Sequence, residues 1–100
     1  MTPKKPGYPN RDAAEELAIN ALSFLASQPE ALGNFLRLTG IGPANLRQAA
    51  AEPGFLAGLL DYFLANEDVL VGYAREAAVA PEDVVQARQV LAGERPRQVP

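Results

Sequence analysis

The stretch Glu52-Pro53-Gly54-Phe55-Leu56-Ala57-Gly58-Leu59-Leu60-Asp61-Tyr62-Phe63-Leu64-Ala65-Asn66 is the most apolar part of the chain. Phe55, Leu56, Leu59, Leu60, Phe63 and Leu64 recur at the three- and four-residue spacing of a helix. They nearly fill two faces, and a helix apolar on two faces belongs in the middle of a fold. Pro53 opens it. Proline disfavours helical backbone in the residue before it, and at the first helical position its missing N–H would have had no intrahelical partner. Asn66 is placed to end this helix and cap the next.

Punctuation of the same kind divides the remainder. Upstream, a helix starts at Asn10 or Asp12, where Asp12-Ala13-Ala14-Glu15 resembles a capping box. Leu17, Ala18, Ala21, Leu22, Phe24 and Leu25 carry its apolar face to Ala26 or Ser27. Pro29 starts a second helix with Glu30 at its positive dipole end. Leu32, Phe35 and Leu36 face inward, with Leu38 a candidate fourth, and Gly40 supplies the stop. Pro43 opens a short third helix with Leu46, Ala49 and Ala50. Downstream, Glu67 and Asp68 begin a fifth helix lined by Val69, Leu70, Tyr73 and Ala77. Pro81, Glu82 and Asp83 begin a sixth with Val84, Val85, Ala87, Arg88 and Leu91, closed by Gly93. No stretch alternates apolar and polar over strand length. The expected fold class is all-α: a compact single-domain bundle of five or six short helices with large crossing angles. The helical domain is placed at residues 10–93. Residues 1–9, with three prolines, a glycine and two lysines, read as a flexible basic arm, and residues 94–100 as a disordered tail.

Composition narrows the chemistry. Among 100 residues there is no histidine and no cysteine, while 48% are hydrophobic and 21% charged, the usage of a globular domain. Without histidine or cysteine there is no serine–histidine or cysteine–histidine nucleophile and no ordinary zinc, haem or iron–sulfur ligation. The glycines form no phosphate-binding loop of the dinucleotide or nucleotide type. No cofactor, metal or catalytic residue is therefore expected, and the chain reads as a non-enzyme. Carboxylates remain: Asp61, Glu67 and Asp68 lie nearest the apolar centre. Helix-start acids, and an ion pair from Asp61 to Arg47 or Arg75, account for them more simply than acid–base catalysis. No run reaches the roughly 18 apolar residues of a membrane span, and the expected location is cytoplasmic. Residues 12–93 carry eleven acids against four arginines, whereas residues 1–11 carry Lys4, Lys5 and Arg11 and no acid. An acidic body repels nucleic-acid phosphates, so a nucleic-acid partner is the weaker expectation.

Leu38-Thr39-Gly40-Ile41-Gly42-Pro43-Ala44-Asn45-Leu46 resembles the turn of helix-hairpin-helix DNA-binding domains. The resemblance implies that Gly40 and Gly42 let backbone approach a phosphate, that Ala44, Asn45 and Leu46 present open amides, that Arg47 adds charge and that Ile41 pins the turn to the core. Thr39 stands where that family usually has proline, and Leu46 where it has a small alanine. The alternative is a plain helix–helix connection with Gly40 as C-cap and Pro43 at the first helical position. Thr39, Gly40, Ile41, Gly42, Ala44, Asn45 and Arg47 are the candidate interaction or phosphate-contact residues.

A longer resemblance runs through Phe24-Leu25-Ala26, Phe35 to Pro43, Leu46-Arg47, Pro53 to Leu56, Leu60 to Leu64, Glu67, Leu70 and Pro81-Glu82. Residues 13–92 are similar to a family of small bacterial proteins catalogued as a domain of unknown function. That similarity implies a helical domain and no particular activity. By elimination the leading expectation is a domain that binds an unknown protein partner or a second copy of itself, with Tyr62, Phe63 and Tyr73 as candidate contacts. Weak, sequence-independent nucleic-acid binding through residues 39–47 comes second, and carboxylate catalysis third.

Overall fold

The computed structural model describes residues 10–93, apart from the side chain of Pro53. The arm at 1–9 and the tail at 94–100 lie outside the described residues. Six α-helices follow in order: α1 Arg11–Ala26, α2 Pro29–Thr39, α3 Leu46–Ala49, α4 Pro53–Ala65, α5 Glu67–Ala77 and α6 Pro81–Leu91. A turn of 3-10 helix, Pro43–Asn45, leads into α3. No strand occurs among the described residues, and the all-α expectation holds.

α4 is the centre. Leu56, Ala57, Leu59, Leu60, Tyr62 and Phe63 are all buried. α1 and α6 pack against it and against each other. The deepest positions of α1 are Ala14, Ala18, Ala21 and Leu25, a stripe four, three and four residues apart. Small side chains there let three helix backbones come close, while Leu17, Leu22 and Phe24 flank the stripe as partly buried neighbours. The sequence pattern places Ala18, Ala21 and Leu25 on this face, and the structure adds Ala14. α6 contributes Val84, Ala87 and Leu91 to the interior, but Val85 is exposed. α5 contributes Tyr73, with Val69, Leu70 and Ala77 at the margin. Its Gly72 faces Phe24, where an added Cβ would meet the ring at 3.3 Å.

Aromatic side chains join the layers. Phe55 packs on Phe35, Phe35 on Tyr62, Tyr62 on Phe63, and Phe63 on both Phe24 and Tyr73, with ring centroids 5.3–6.4 Å apart. The tilted and edge-on arrangements are those favoured by the ring quadrupoles. Both buried tyrosines have partners. Tyr73 donates its hydroxyl to the Leu17 carbonyl at 3.2 Å, and Tyr62 donates to the Ala31 carbonyl at 3.2 Å while accepting from Asn34 Nδ2 at 3.0 Å.

The helix ends correct two expectations. Asn10, not Asp12, caps α1: its side-chain oxygen accepts the Ala13 N–H at 2.7 Å, the ordinary N-cap geometry. Asn66 ends α4 and holds the N-cap position of α5 as expected, but its side chain caps nothing forward. Its side chain reaches back to donate to the Tyr62 carbonyl at 2.8 Å, and α5 starts on the Asn66 backbone carbonyl, which accepts from Val69 and Leu70. Gly40 ends α2 as expected, with φ of 77° and its N–H on the Leu36 carbonyl at 2.8 Å. Gly93 takes the same left-handed conformation after α6. Asp83 accepts the Ala80 N–H at 3.0 Å, which closes the start of α6.

Candidate functional site

The Thr39–Arg47 segment crosses from α2 toward α4. Thr39 donates its hydroxyl to the Phe35 carbonyl at 3.0 Å and accepts the Ile41 N–H at 3.3 Å. A threonine at a helix end can tie the last turn to the exit in this way. Gly42 is extended, and its carbonyl accepts the Asn45 N–H at 2.9 Å. The Leu46 N–H bonds to the Pro43 carbonyl. Asn45 and Leu46 therefore do not present open amides, which corrects what the helix-hairpin-helix resemblance implied. The helix that follows has a single turn, too short to build up the dipole on which phosphate capture at a helix start depends. Ala44, Asn45 and Arg47 are exposed.

What the segment does form is a wall. Thr39, Ile41, Ala49 and Glu52 face Phe35 of α2 and Phe55 of α4 across an open cleft of about 440 Å³, with Gly54 and Gly58 at its edge. Two features create it. α2 approaches α4 mainly through aromatic rings, Phe35 lying 5.7 Å from Phe55 and 5.3 Å from Tyr62. Gly54 and Gly58, one helical turn apart, have nothing within 4 Å of where a Cβ would stand. Glycine inside a helix costs roughly 0.5–1 kcal/mol relative to alanine, and no packing contact explains either one. Leu38, 68% exposed beside Thr39, is the most exposed large apolar side chain among the described residues. It does not join the inward face of α2.

A second, more polar groove of about 820 Å³ lies on the other side of α2, where Asn34, Arg37 and Tyr62 meet Asn66, Glu67 and Asp68. Arg37 donates to Asn34 Oδ1 at 2.7 Å. Glu67 and Asp68 are exposed in the first turn of α5, where carboxylates suit the helix dipole. Asp61 is elsewhere. It accepts from Arg88 Nε at 2.7 Å and keeps a half-exposed side chain, so its partner is neither Arg47 nor Arg75. The three carboxylates are not brought together, and no three acids gather as a metal-binding group among the described residues. Tyr62, Phe63 and Tyr73, the expected contact aromatics, are interior side chains, at most 8% exposed. Burial raises the Tyr73 phenol above its ordinary pKa.

No helix of the described residues is long and apolar enough to cross a membrane. The class defined so far is a small all-α domain with an apolar cleft on one side and a polar groove on the other. Residues 11–94 match the family described as Protein of unknown function (DUF3572), and the chain belongs to it. Comparison with curated proteins and with solved structures gives no significant match.

Proposed function

We propose that this is a non-enzymatic interaction domain of a bacterial cytoplasmic protein, binding another protein or a second copy of itself through the cleft between α2 and α4. The observation that carries the reading is the cleft itself: two phenylalanines and an isoleucine around an opening whose edge is kept free by Gly54 and Gly58. Apolar side chains around a concave surface gain free energy when a partner displaces their water, about 25 cal/mol per Å² of apolar area removed. The exposed Leu38 extends the apolar character beyond the cleft. The engaged amides of Asn45 and Leu46, and Glu52 in the wall, favour this over phosphate binding at the same place.

The test is a pull-down from the native cells at moderate salt, with and without nuclease, using the wild-type domain and Gly58→Leu in parallel, each also weighed by light scattering. Gly58 lines the cleft and has nothing within 4 Å of where a Cβ would stand, so a leucine there is expected to obstruct it. A protein partner or self-association that survives nuclease and is lost in Gly58→Leu supports the reading. Capture that vanishes with nuclease overturns it in favour of nucleic-acid binding. Capture unchanged in Gly58→Leu removes the cleft as the contact surface.

A further inference from the structure

The residues joining α2 to α4 are attached to the domain differently from everything else in it. No described side chain between Phe35 and Leu56 is buried. The Pro43–Asn45 turn and α3 make their main contacts with each other, outside the packing that joins α1, α4, α5 and α6. Their hydrogen bonds are equally inward-looking. Asn45 donates to Gly42, Leu46 to Pro43, Ala50 to Leu46, Ala51 to Gln48 and Glu52 to Ala49. Among the described residues no hydrogen bond ties 42–51 to another element. Ile41 and Leu46 are half-buried, yet neither is among the side chains packed on the core. The cleft beneath is open rather than filled. Both ends have backbone suited to a pivot: left-handed Gly40 at one, and extended Glu52 before Pro53 at the other.

We infer that residues 41–52 form a strap that swings away from α2 and α4 as one unit while the five longer helices stay packed, uncovering the Phe35–Phe55 face. Nothing of the interior is lost when it opens, because no buried side chain belongs to it. The hydrogen bonds within 42–52 travel with it, while the Ile41 N–H on Thr39 Oγ1 and the Glu52 carbonyl, which accepts from Phe55 and Leu56, mark the two pivots. Cooperative units with few buried apolar contacts open at free energies well below that of global unfolding. The inference is independent of what, if anything, occupies the cleft.

Native-state hydrogen exchange on the full chain, over a series of low urea concentrations, tests it. The amides of Asn45, Leu46, Ala50, Ala51 and Glu52 are expected to exchange together, with little urea dependence, and at least a hundredfold faster than protected amides of α4 such as Leu60 and Phe63. Ile41→Ala removes the strap's isoleucine from the cleft. It is expected to speed the strap amides by roughly tenfold and leave the α4 amides within twofold of wild type. If the strap amides share the urea dependence and rate of α4, or if Ile41→Ala speeds both sets equally, the segment belongs to the cooperative core and the inference is wrong. Amides of 45–52 that exchange at unrelated rates would also overturn it, since the segment would then fray rather than swing.

Discussion

Ala78 is the one non-glycine residue with left-handed backbone among the described residues, at φ of 57°. It follows α5, where that conformation lets its N–H reach the Ala74 carbonyl. Glycine reaches this region without the clash of a Cβ. Ala78→Gly is therefore expected to stabilise the domain by about 0.5–1 kcal/mol, a rise of a few degrees in thermal midpoint for a domain of this size. Tyr73 gives a prediction in pH. Its folded pKa is raised by burial, so the folded state holds the proton more tightly than the unfolded chain, where tyrosine titrates near about 10. That contribution is whole below about pH 10 and is lost as pH rises above it. Urea titrations from pH 8 to 11 should show stability falling at the alkaline end, and Tyr73→Phe should flatten that fall. The same variant loses the bond to the Leu17 carbonyl, at a cost of about 1 kcal/mol at neutral pH. An alkaline limb unchanged by the substitution would assign the fall to other groups.

Helix boundaries were the most legible feature of the sequence because they are written in local chemistry. Pro29, Pro53 and Pro81 each begin a helix, and Gly40 leaves one in the left-handed region. Where neighbouring residues compete for one role, the pattern could not choose. Asn10 and Asp12 are both good caps, and only the backbone settles the matter, since Asn10 is extended while Asp12 is already helical. Asn10→Ala is accordingly expected to cost about 1 kcal/mol, and Asp12→Ala less than half of that. Urea midpoints in the reverse order would restore Asp12 as the cap. Periodicity found Ala18, Ala21 and Leu25 on the inner face of α1 but passed over Ala14, a small side chain within the capping stretch that is fully buried. The cleft was invisible for another reason. Its walls come from α2, α4 and the strap between them, and no pattern within one helix records a gap against another. Asp61 was paired with the wrong arginine likewise, because Arg88 is 27 residues away and brought near only by the packing of α6 on α4.

The whole molecule is governed by α4, and its tolerance to change should follow. Phe63 is fully buried and touches Tyr62, Phe24 and Tyr73. Phe63→Ala should cost about 3–5 kcal/mol, much of the stability of a domain this small, and leave a substantially unfolded population by far-UV circular dichroism. Asp61→Asn on the outer side of the same helix breaks only a partly exposed ion pair, with an expected effect below about 1 kcal/mol. The contrast checks that α4 is held by its apolar faces and not by its charges. The chain of rings from Phe55 at the cleft to Tyr73 in the interior has an optical consequence too. The protein has no tryptophan, so its near-ultraviolet absorption belongs to tyrosine and phenylalanine alone, and every phenylalanine stands in that chain. All four phenylalanines and two of the three tyrosines that absorb there thus line the cleft or fill the centre. The molecule carries its own label, and a binding event at Phe55 can be followed as a change in circular dichroism without attaching a dye.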